Sequence, residues 1–363
     1  MDMKIRPVHV FFLIIIIVII VFLTSWLVGY YQPLYEKPQD INITPLRLVF
    51  VGDVMLSRNV GDIISRKGPE FPFEHVHDIL KKGDITMGNL ESPISSLNTN
   101  VCEKSDKRLC FKGSPDSLSG LTYAGFDILT LANNHALDYK TEVMNDTQSR
   151  LSAAGIKYTG VQQSEEDYFQ KAMILQDPRM NVAFLGFNDI GTFTNSSSFP
   201  RPWNASEETV SQSVKEAHKQ ADIVVVNFHF GEEYNFTHSP RQEKLAHLAA
   251  DAGADIIIGH HLHVLQDLEF YNRSIIDYSL GNFVFDQKGK SSREGAILTV
   301  EIDPKTKQIQ KYSLEKVFIT NEFQPRPGLI GMSILYYEKL VSSSFSKLYT
   351  ITAKNTGFTL WVN

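Results

Sequence analysis

Residues 256–263 read Ile-Ile-Ile-Gly-His-His-Leu-His. Three branched apolar residues in a row, bounded by polar and glycine residues, predict a short strand buried on both faces. The His-x-His that follows can bring two imidazoles to a common centre. The same pattern recurs outward along the chain. Leu46–Val51 ends in Gly52-Asp53, Ile85–Met87 in Gly88-Asn89-Leu90-Glu91, and Ile128–Leu131 leads to Asn133-Asn134-His135 and Asp138. Val182–Phe187 ends in Asn188-Asp189, Ile223–Val226 in Asn227-Phe228-His229, and Tyr278–Leu280 in Gly281-Asn282. Helical stretches separate the runs: Glu142–Ala154, Glu207–Gln220 and Pro240–Ala252. In the last, Ser239 can cap, Pro240 suits the first turn and Gln242 completes a capping box. Leu245, Leu248, Ala249 and Ala252 form one apolar face, and Gly253 stops the helix. Strand–helix–strand alternation predicts an α/β domain.

In an open α/β sheet the carboxyl ends of the strands share the edge where ligands bind. One polar strand end is an ordinary solvated loop. Six or seven, drawn from Asp, Asn, Glu and His, read as a metal site. Asp53, Asn89 or Glu91, Asn134, His229, His261 and His263 are the ligand candidates. Imidazole, carboxylate and amide oxygen without thiolate suit a divalent ion such as Mn, Fe or Zn. The candidates are too many for one tetrahedral zinc. A two-metal centre, its ions roughly 3.5–4 Å apart, lowers the pKa of a bridging water and stabilises charge on a substrate oxygen. His135 follows Asn134 and is the candidate general acid. Arg58, Arg241 and Asn282 are candidates for substrate contact.

The chain has 363 residues, 43% hydrophobic and 21% charged, with a net charge of −6. That composition excludes global disorder. The acidic balance argues against a protein whose task is gripping nucleic-acid phosphates, so no nucleic-acid partner is expected. Two cysteines exclude a cysteine-built zinc site. Cys102 and Cys110 lie eight apart in a polar loop, where an oxidising compartment permits a disulfide.

Val10 to Val28 carries no charge and Val10 to Leu23 is wholly apolar. Nineteen residues at roughly 1.5 Å each cover about 28 Å, close to the hydrocarbon thickness of a bilayer. A core helix would show a polar stripe, and a signal peptide would end in small residues at its cleavage site. Here Trp26, Leu27, Tyr30 and Tyr31 follow, and Lys4 and Arg6 precede. The span is expected to be an uncleaved anchor with its short tail, 1–9, in the cytoplasm. The protein is then single-pass type II, with its large domain extracellular or lumenal. Residues 29–45 contain three prolines and read as a stalk. Six Asn-x-Ser/Thr sequons, at Asn42, Asn145, Asn195, Asn204, Asn235 and Asn272, exceed the roughly two or three expected by chance and suggest glycosylation.

Val51-Gly-Asp-Val-Met-Leu, Gly88-Asn-Leu-Glu-Ser-Pro, Ala132-Asn-Asn-His-Ala-Leu-Asp, Gly259-His-His-Leu-His-Val-Leu and Tyr278-Ser-Leu-Gly-Asn-Phe-Val-Phe-Asp together resemble the CapA/PgsA-type poly-γ-glutamate capsule-synthesis proteins. The resemblance runs in order from about Leu46 to Asp286. It implies the fold of the calcineurin-like metallophosphoesterases: two packed mixed β-sheets flanked by helices, here preceded by one transmembrane helix. It also implies a partner that is an anionic polymer such as poly-γ-glutamate, or a phosphoester, and a membrane synthase complex nearby. The expected boundaries are an anchor at 10–28, a metallophosphatase-fold domain at 46–302 and a C-terminal appendage at 303–363. Three positions depart from the resembled pattern. Asp53 is followed by Val54-Met55 where metallophosphoesterases have Asp-x-His, Asn89 replaces a bridging Asp, and Lys140 stands where relatives often have Gly. One ion or two, or a metal-free site, stay open on sequence. So do a metal-dependent hydrolase or transferase and a non-catalytic polymer-binding subunit.

Overall fold

The computed structural model describes residues 44–98, 102, 106–191 and 198–328, the strands 349–354 and 357–362, and Ile19. The tail, residues 29–43 of the stalk and all of the expected anchor except Ile19 lie outside the described residues, as do Asn42 and Asn195. Among the described residues no helix is long and apolar enough to cross a membrane.

The strands follow in chain order. They are β1 (Leu46–Val54), β2 (Ile85–Leu90), β3 (Ile128–Thr130), β4 (Lys157–Thr159), β5 (Val161–Gln162), β6 (Met173–Asp177), β7 (Met180–Asn188), β8 (Arg201–Pro202) and β9 (Ile223–His229). Then come β10 (Ile256–His260), β11 (Leu268–Tyr271), β12 (Ser274–Asp277), β13 (Asn282–Val284), β14 (Glu294–Asp303), β15 (Gln308–Ile319), β16 (Pro325–Pro327), β17 (Tyr349–Lys354) and β18 (Gly357–Val362). The helices are α1 (Arg58–Lys67), α2 (His77–Leu80), α3 (Ser117–Ala124), α4 (Lys140–Ala153), α5 (Glu207–His218) and α6 (Pro240–Ala252).

Two mixed sheets result. The first has the order β17-β18-β15-β14-β1-β2-β3-β4, with β13 beside β1 and β16 beside β15. The second has the order β11-β12-β10-β9-β7-β6, and β5 pairs with β8 separately. Period-two alternation decides which residues meet. Leu46, Leu48 and Phe50 of β1 join Val182 and Phe184 of β7, Ile223 and Val225 of β9, and Ile256 and Ile258 of β10 in one core between the sheets. The intervening residues, Val49 and Val51 on one sheet and Val224, Val226 and Ile257 on the other, pack outward under helices. Each strand is therefore apolar on both faces, which is why it reads as an unbroken run. Burying each such side chain is worth roughly 1.5–3 kcal/mol.

The expected start and stop of α6 are present. Ser239 and Gln242 form the capping box, and Gly253 adopts the left-handed cap. Within 303–363, expected as an appendage, the described strands join the first sheet: β15 pairs with β14, and β18 with β15. Of the described sequons, Asn145, Asn235 and Asn272 are exposed and Asn204 is half-buried.

A polar contact between the sheets lies inside the core. The Tyr312 hydroxyl of β15 donates to Asp277 Oδ2 of β12 at 3.1 Å. Burial pushes the Asp277 carboxyl up to about 7, against the smaller lowering from that hydrogen bond. The native state then holds a proton between about pH 4 and 7 that the unfolded chain has released. Stability from this group is full below pH 4, is lost as pH rises through that window, and stays lost above it. Asp277→Asn should therefore gain on the order of 2–4 kcal/mol over the native chain at pH 8 and little at pH 4. Urea unfolding at the two pH values measures the difference, and an equal shift at both would contradict the assignment.

Candidate metal centre

Strand register lines the polar strand ends up across each sheet. In the first, Asp53 of β1 stands beside Asn89 of β2 on one side and Asn282 of β13 on the other. In the second, His229 of β9 stands beside His260 of β10 and Asn188 of β7. The segment 278–281, which joins β12 of the second sheet to β13 of the first, passes close against both rows because a glycine precedes each. A Cβ on Gly52 would collide with the Gly281 carbonyl oxygen, and one on Gly259 with the Tyr278 carbonyl. Asp53 N–H donates to that same Gly281 oxygen at 3.0 Å. His261 and His263 hold φ values of 96° and 57°, a strained left-handed conformation for non-glycine residues that turns both rings into the site.

Asp53 is at the centre and fully buried. Its Oδ1 accepts from Asn89 Nδ2 at 2.8 Å and lies 3.3 Å from His260 Nδ1. Its Oδ2 accepts from the His261 N–H at 3.3 Å and lies 3.5 Å from His263 Nδ1. Burial alone would raise the Asp53 carboxyl, but hydrogen bonds and charge from His260 and His263 hold it well below the usual carboxylate range. Glu91, also fully buried, brings Oε1 to 3.9 Å from His263 Nε2 and 3.7 Å from His135 Nε2. Asp53, Glu91 and His263 thus present donor atoms all within 4.8 Å of one another. Beside them, His229 Nε2 lies 3.0 Å from Asn134 Oδ1, and its ring is 4.7 Å from that of His261. Burial, then the neighbouring His261, pushes His229 well below the usual histidine range and leaves a neutral imidazole with a lone pair to give. Asn89 Nδ2, 3.3 Å from His229 Nδ1, touches both groups. All seven ligand candidates therefore meet at one place.

The donors fit a divalent ion. Two buried carboxylates with imidazoles and amide oxygens, and no thiolate, form a borderline-to-hard set. Met55, where the resembled pattern has an imidazole, is buried in the core with its sulfur accepting from Ser57 N–H at 3.1 Å. Glu91 supplies a donor to the group in its stead.

His135 lies beside the group. Its Nδ1 is 2.8 Å from Asp138 Oδ2, and its ring stacks on Phe111 with centroids 3.8 Å apart. Phe111 N–H donates to the same Asp138 oxygen at 2.8 Å. Phe111 directly follows Cys110, which is bonded to Cys102. The disulfide, which the sequence sets apart from the strand ends, therefore adjoins the site. Asp138 and Phe111 were not singled out as site residues from the sequence, and for Phe111 no sequence signal separates it from a core phenylalanine. Lys140, where relatives often have glycine, has φ 71°, so the turn that aims Asp138 uses the conformation glycine tolerates best.

The three substrate candidates separate. Arg58 pairs with Asp286, and its guanidinium lies 4.5 Å over the Phe111 ring, at the rim of the site. Arg241 is committed to Asp189, with both nitrogens at 2.8–3.1 Å, and to the Ala205 carbonyl at 2.9 Å. Asn282 is fully buried and orients His263, its Oδ1 2.9 Å from His263 Nδ1. Tyr234 overlooks the site from a left-handed φ of 65°, its ring 6.1 Å from that of His263.

The chain matches the bacterial capsule synthesis protein PGA_cap family over residues 47–287. It is 38% identical over 260 residues to the capsule biosynthesis protein CapA of Bacillus anthracis, covering 70% of this chain and 63% of that protein. It is 35% identical over 292 residues to the PGA biosynthesis protein CapA of Bacillus subtilis, covering 80% of this chain and 76% of that one. Less than two thirds of the first relative's length is therefore spanned. A solved phosphatase from Mycoplasma pneumoniae overlays 76% of this chain and 94% of its own at 13% identity, with a TM-score of 0.47. A match reaching from β1 past β13, over the very strand ends that gather Asp53, Asn89, His135, His229 and the His-x-His, makes this chain a member of the bacterial capsule synthesis protein family.

Proposed function

We propose that this protein is a membrane-anchored, metal-dependent hydrolase or transferase acting outside the cytosol on a phosphoester or amide of an anionic polymer such as poly-γ-glutamate. The buried group of Asp53, Glu91 and His263 carries the reading. The polymer is supported by relatives described as capsule and PGA biosynthesis proteins. The anchor is supported by the uncharged span Val10–Val28 behind Lys4 and Arg6.

Asp53, Glu91 and His263 would hold one ion, and Asn134, His229 and His261 a second, with Asn89 between them. When bound, Mn, Fe or Zn supplies Lewis acidity, lowering the pKa of water and stabilising charge on a substrate oxygen. The remaining work falls to the chain. Because Asp138 accepts from Nδ1, the protonated His135 ring offers its other proton on Nε2, the nitrogen nearest Glu91. That proton can go to the leaving group as the bond breaks. Stacking on Phe111 fixes the plane of the ring, and Asp138 stabilises its charged form. A non-catalytic subunit that holds polymer beside a membrane synthase is the second reading, favoured by Met55 in place of an imidazole.

His135→Ala should keep its metal and lose on the order of 10²–10⁴ in turnover, the usual worth of general acid catalysis. His263→Ala should lose metal and turnover together. Metal analysis beside kinetics on a chromogenic phosphodiester decides between these roles; equal metal loss in both variants would overturn the division. A metal-free native protein without turnover would favour the second reading.

The disulfide should matter for both stability and turnover. Replacing Cys102 and Cys110 by serine should cost roughly 2–3 kcal/mol by the loop-entropy account. It should also lower turnover, because the segment carrying Phe111 loosens against His135, while metal content stays. Thiol labelling of the unreduced protein should find neither cysteine reactive; two reactive thiols would contradict the bond.

For topology, protease added to intact cells should digest residues 29–363 and spare the N-terminal tail. Protection of the large domain until the cells are lysed would refute the orientation.

A further inference from the structure

A cavity of about 500 Å³, within the range of small-ligand sites, lies between α1, the loop after β13 and the turn joining β15 to β16. Asn59, Asp62 and Arg66 face it from one side of α1, being three, four and seven residues apart. Gln287, Lys288 and Arg293 face it from the loop. The net charge of the chain is −6, and several cations elsewhere are matched to carboxylates: Arg58 to Asp286, Arg179 to Asp84 and Asp177, Arg241 to Asp189, Lys316 to Glu294. Among the described residues Arg66, Lys288 and Arg293 form no such pair. Arg66 Nε donates to the Asp62 carbonyl at 3.1 Å, and Arg293 Nε to the Ile319 carbonyl at 2.8 Å. Asp62 is the only acid lining the cavity, so three positive charges face one negative.

The cavity shares its wall with the metal centre. Gln287 Oε1 accepts from Asn282 Nδ2 at 3.1 Å, and Asn282 holds His263. Gln287 Nε2 donates to the Tyr234 hydroxyl at 3.1 Å. Asn59 Nδ2 donates to Asp286, the partner of Arg58 over Phe111. A single phosphate is best held by donors converging on one point. Here the cations come from separate segments around an open space, with the neutral amides of Asn59 and Gln287 between them. That spacing suits anions repeated along a chain.

We infer that this cavity is a polyanion subsite, taking the carboxylate-bearing stretch of polymer next to the bond held at the metal centre. The inference rests on the polymer reading above. Arg66, Lys288 and Arg293 meet successive carboxylates, and the amides meet the backbone between them.

The test uses full-length protein in detergent micelles and a fluorescein-labelled γ-glutamate decamer, with binding followed by anisotropy. Arg66→Glu with Lys288→Glu, both exposed positions, should weaken binding about tenfold or more while metal content and thermal unfolding stay as in the native chain. His263→Ala, stripped of metal, should still bind the decamer within about threefold, because the subsite is separate from the ions. Native-like binding by the double variant, or no decamer binding by the native chain, would overturn the subsite. A polyphosphate of equal length that binds more tightly and is weakened alike would overturn its assignment to carboxylates. Retention of metal by His263→Ala would instead count against the proposed metal centre and leave the subsite to stand on the decamer result.

Discussion

Asp53 is a carboxylate held ionised with no access to water, and burying such a charge costs several kcal/mol unless it is matched on every side. The matching accounts for much of the local structure. Asn89 and the His261 N–H donate to its two oxygens, and His260 and His263 bring nitrogens within 3.5 Å. Those partners come from two segments far apart in sequence, and they reach Asp53 only because two sheets bring their strand ends to one edge. The bulk of the sandwich, the apolar core of Leu48, Phe50, Phe184, Val225 and Ile258, supplies the energy that keeps them there. Core and site are therefore complementary, one stabilising what the other costs.

Register is the means. Strict alternation would set Asp53 on the helix side with Val49 and Val51, but the register of β1 shifts between Phe50 and Asp53, so that Asp53 stands opposite Asn89. A one-residue slip of β1 against β2 would undo that placement. The core forbids that slip, because Leu46, Leu48 and Phe50 would leave the sandwich together. Gly52 and Gly259 then allow the last step, an approach of backbone to backbone that any side chain would block. The left-handed backbones of His261 and His263 are strained for the same purpose. Strain of this kind persists where surrounding structure over-determines it, and here it aims two rings at one point.

How much of this the sequence revealed depended on whether local pattern or distant partnership was being read. Ile256–Ile258 and its counterparts are legible because a strand buried on both faces must be apolar throughout, and the polar residue that follows then stands out. The convergence of Asp53, Asn134, His229 and His263 needs one further rule, that the strands of an α/β sheet share one ligand-binding edge. The place of β15 was not legible because it mixes buried and half-buried residues, as a strand with one open face does, and nothing local says that it pairs with β14 and β18. Arg241 shows a similar limit: its bidentate pairing with Asp189, 52 residues away, is a property of the fold. Asp138 was visible as a polar residue, but its function is to hold Nδ1 of a ring three residues back, which depends on the turn at Lys140.

Charge must be read at the same two scales. A net charge of −6 argues against a protein coating nucleic acid, since that task needs many cations on one face. It does not argue against holding a polyanion at one place. At physiological ionic strength charges beyond about 8 Å are largely screened, so a ligand responds to the few groups around it. Arg58, Arg179 and Arg241 add little there, because each is already matched by a carboxylate. Unmatched cations count, and Arg66, Lys288 and Arg293 share a single cavity whose wall, through Gln287 and Asn282, ends at His263. On the proposed reading, the net negative charge of the chain would repel the rest of a long polyanion and leave that cavity as the favourable point of entry. On that reading, local attraction and global repulsion would act together to select where a polyanion meets this surface.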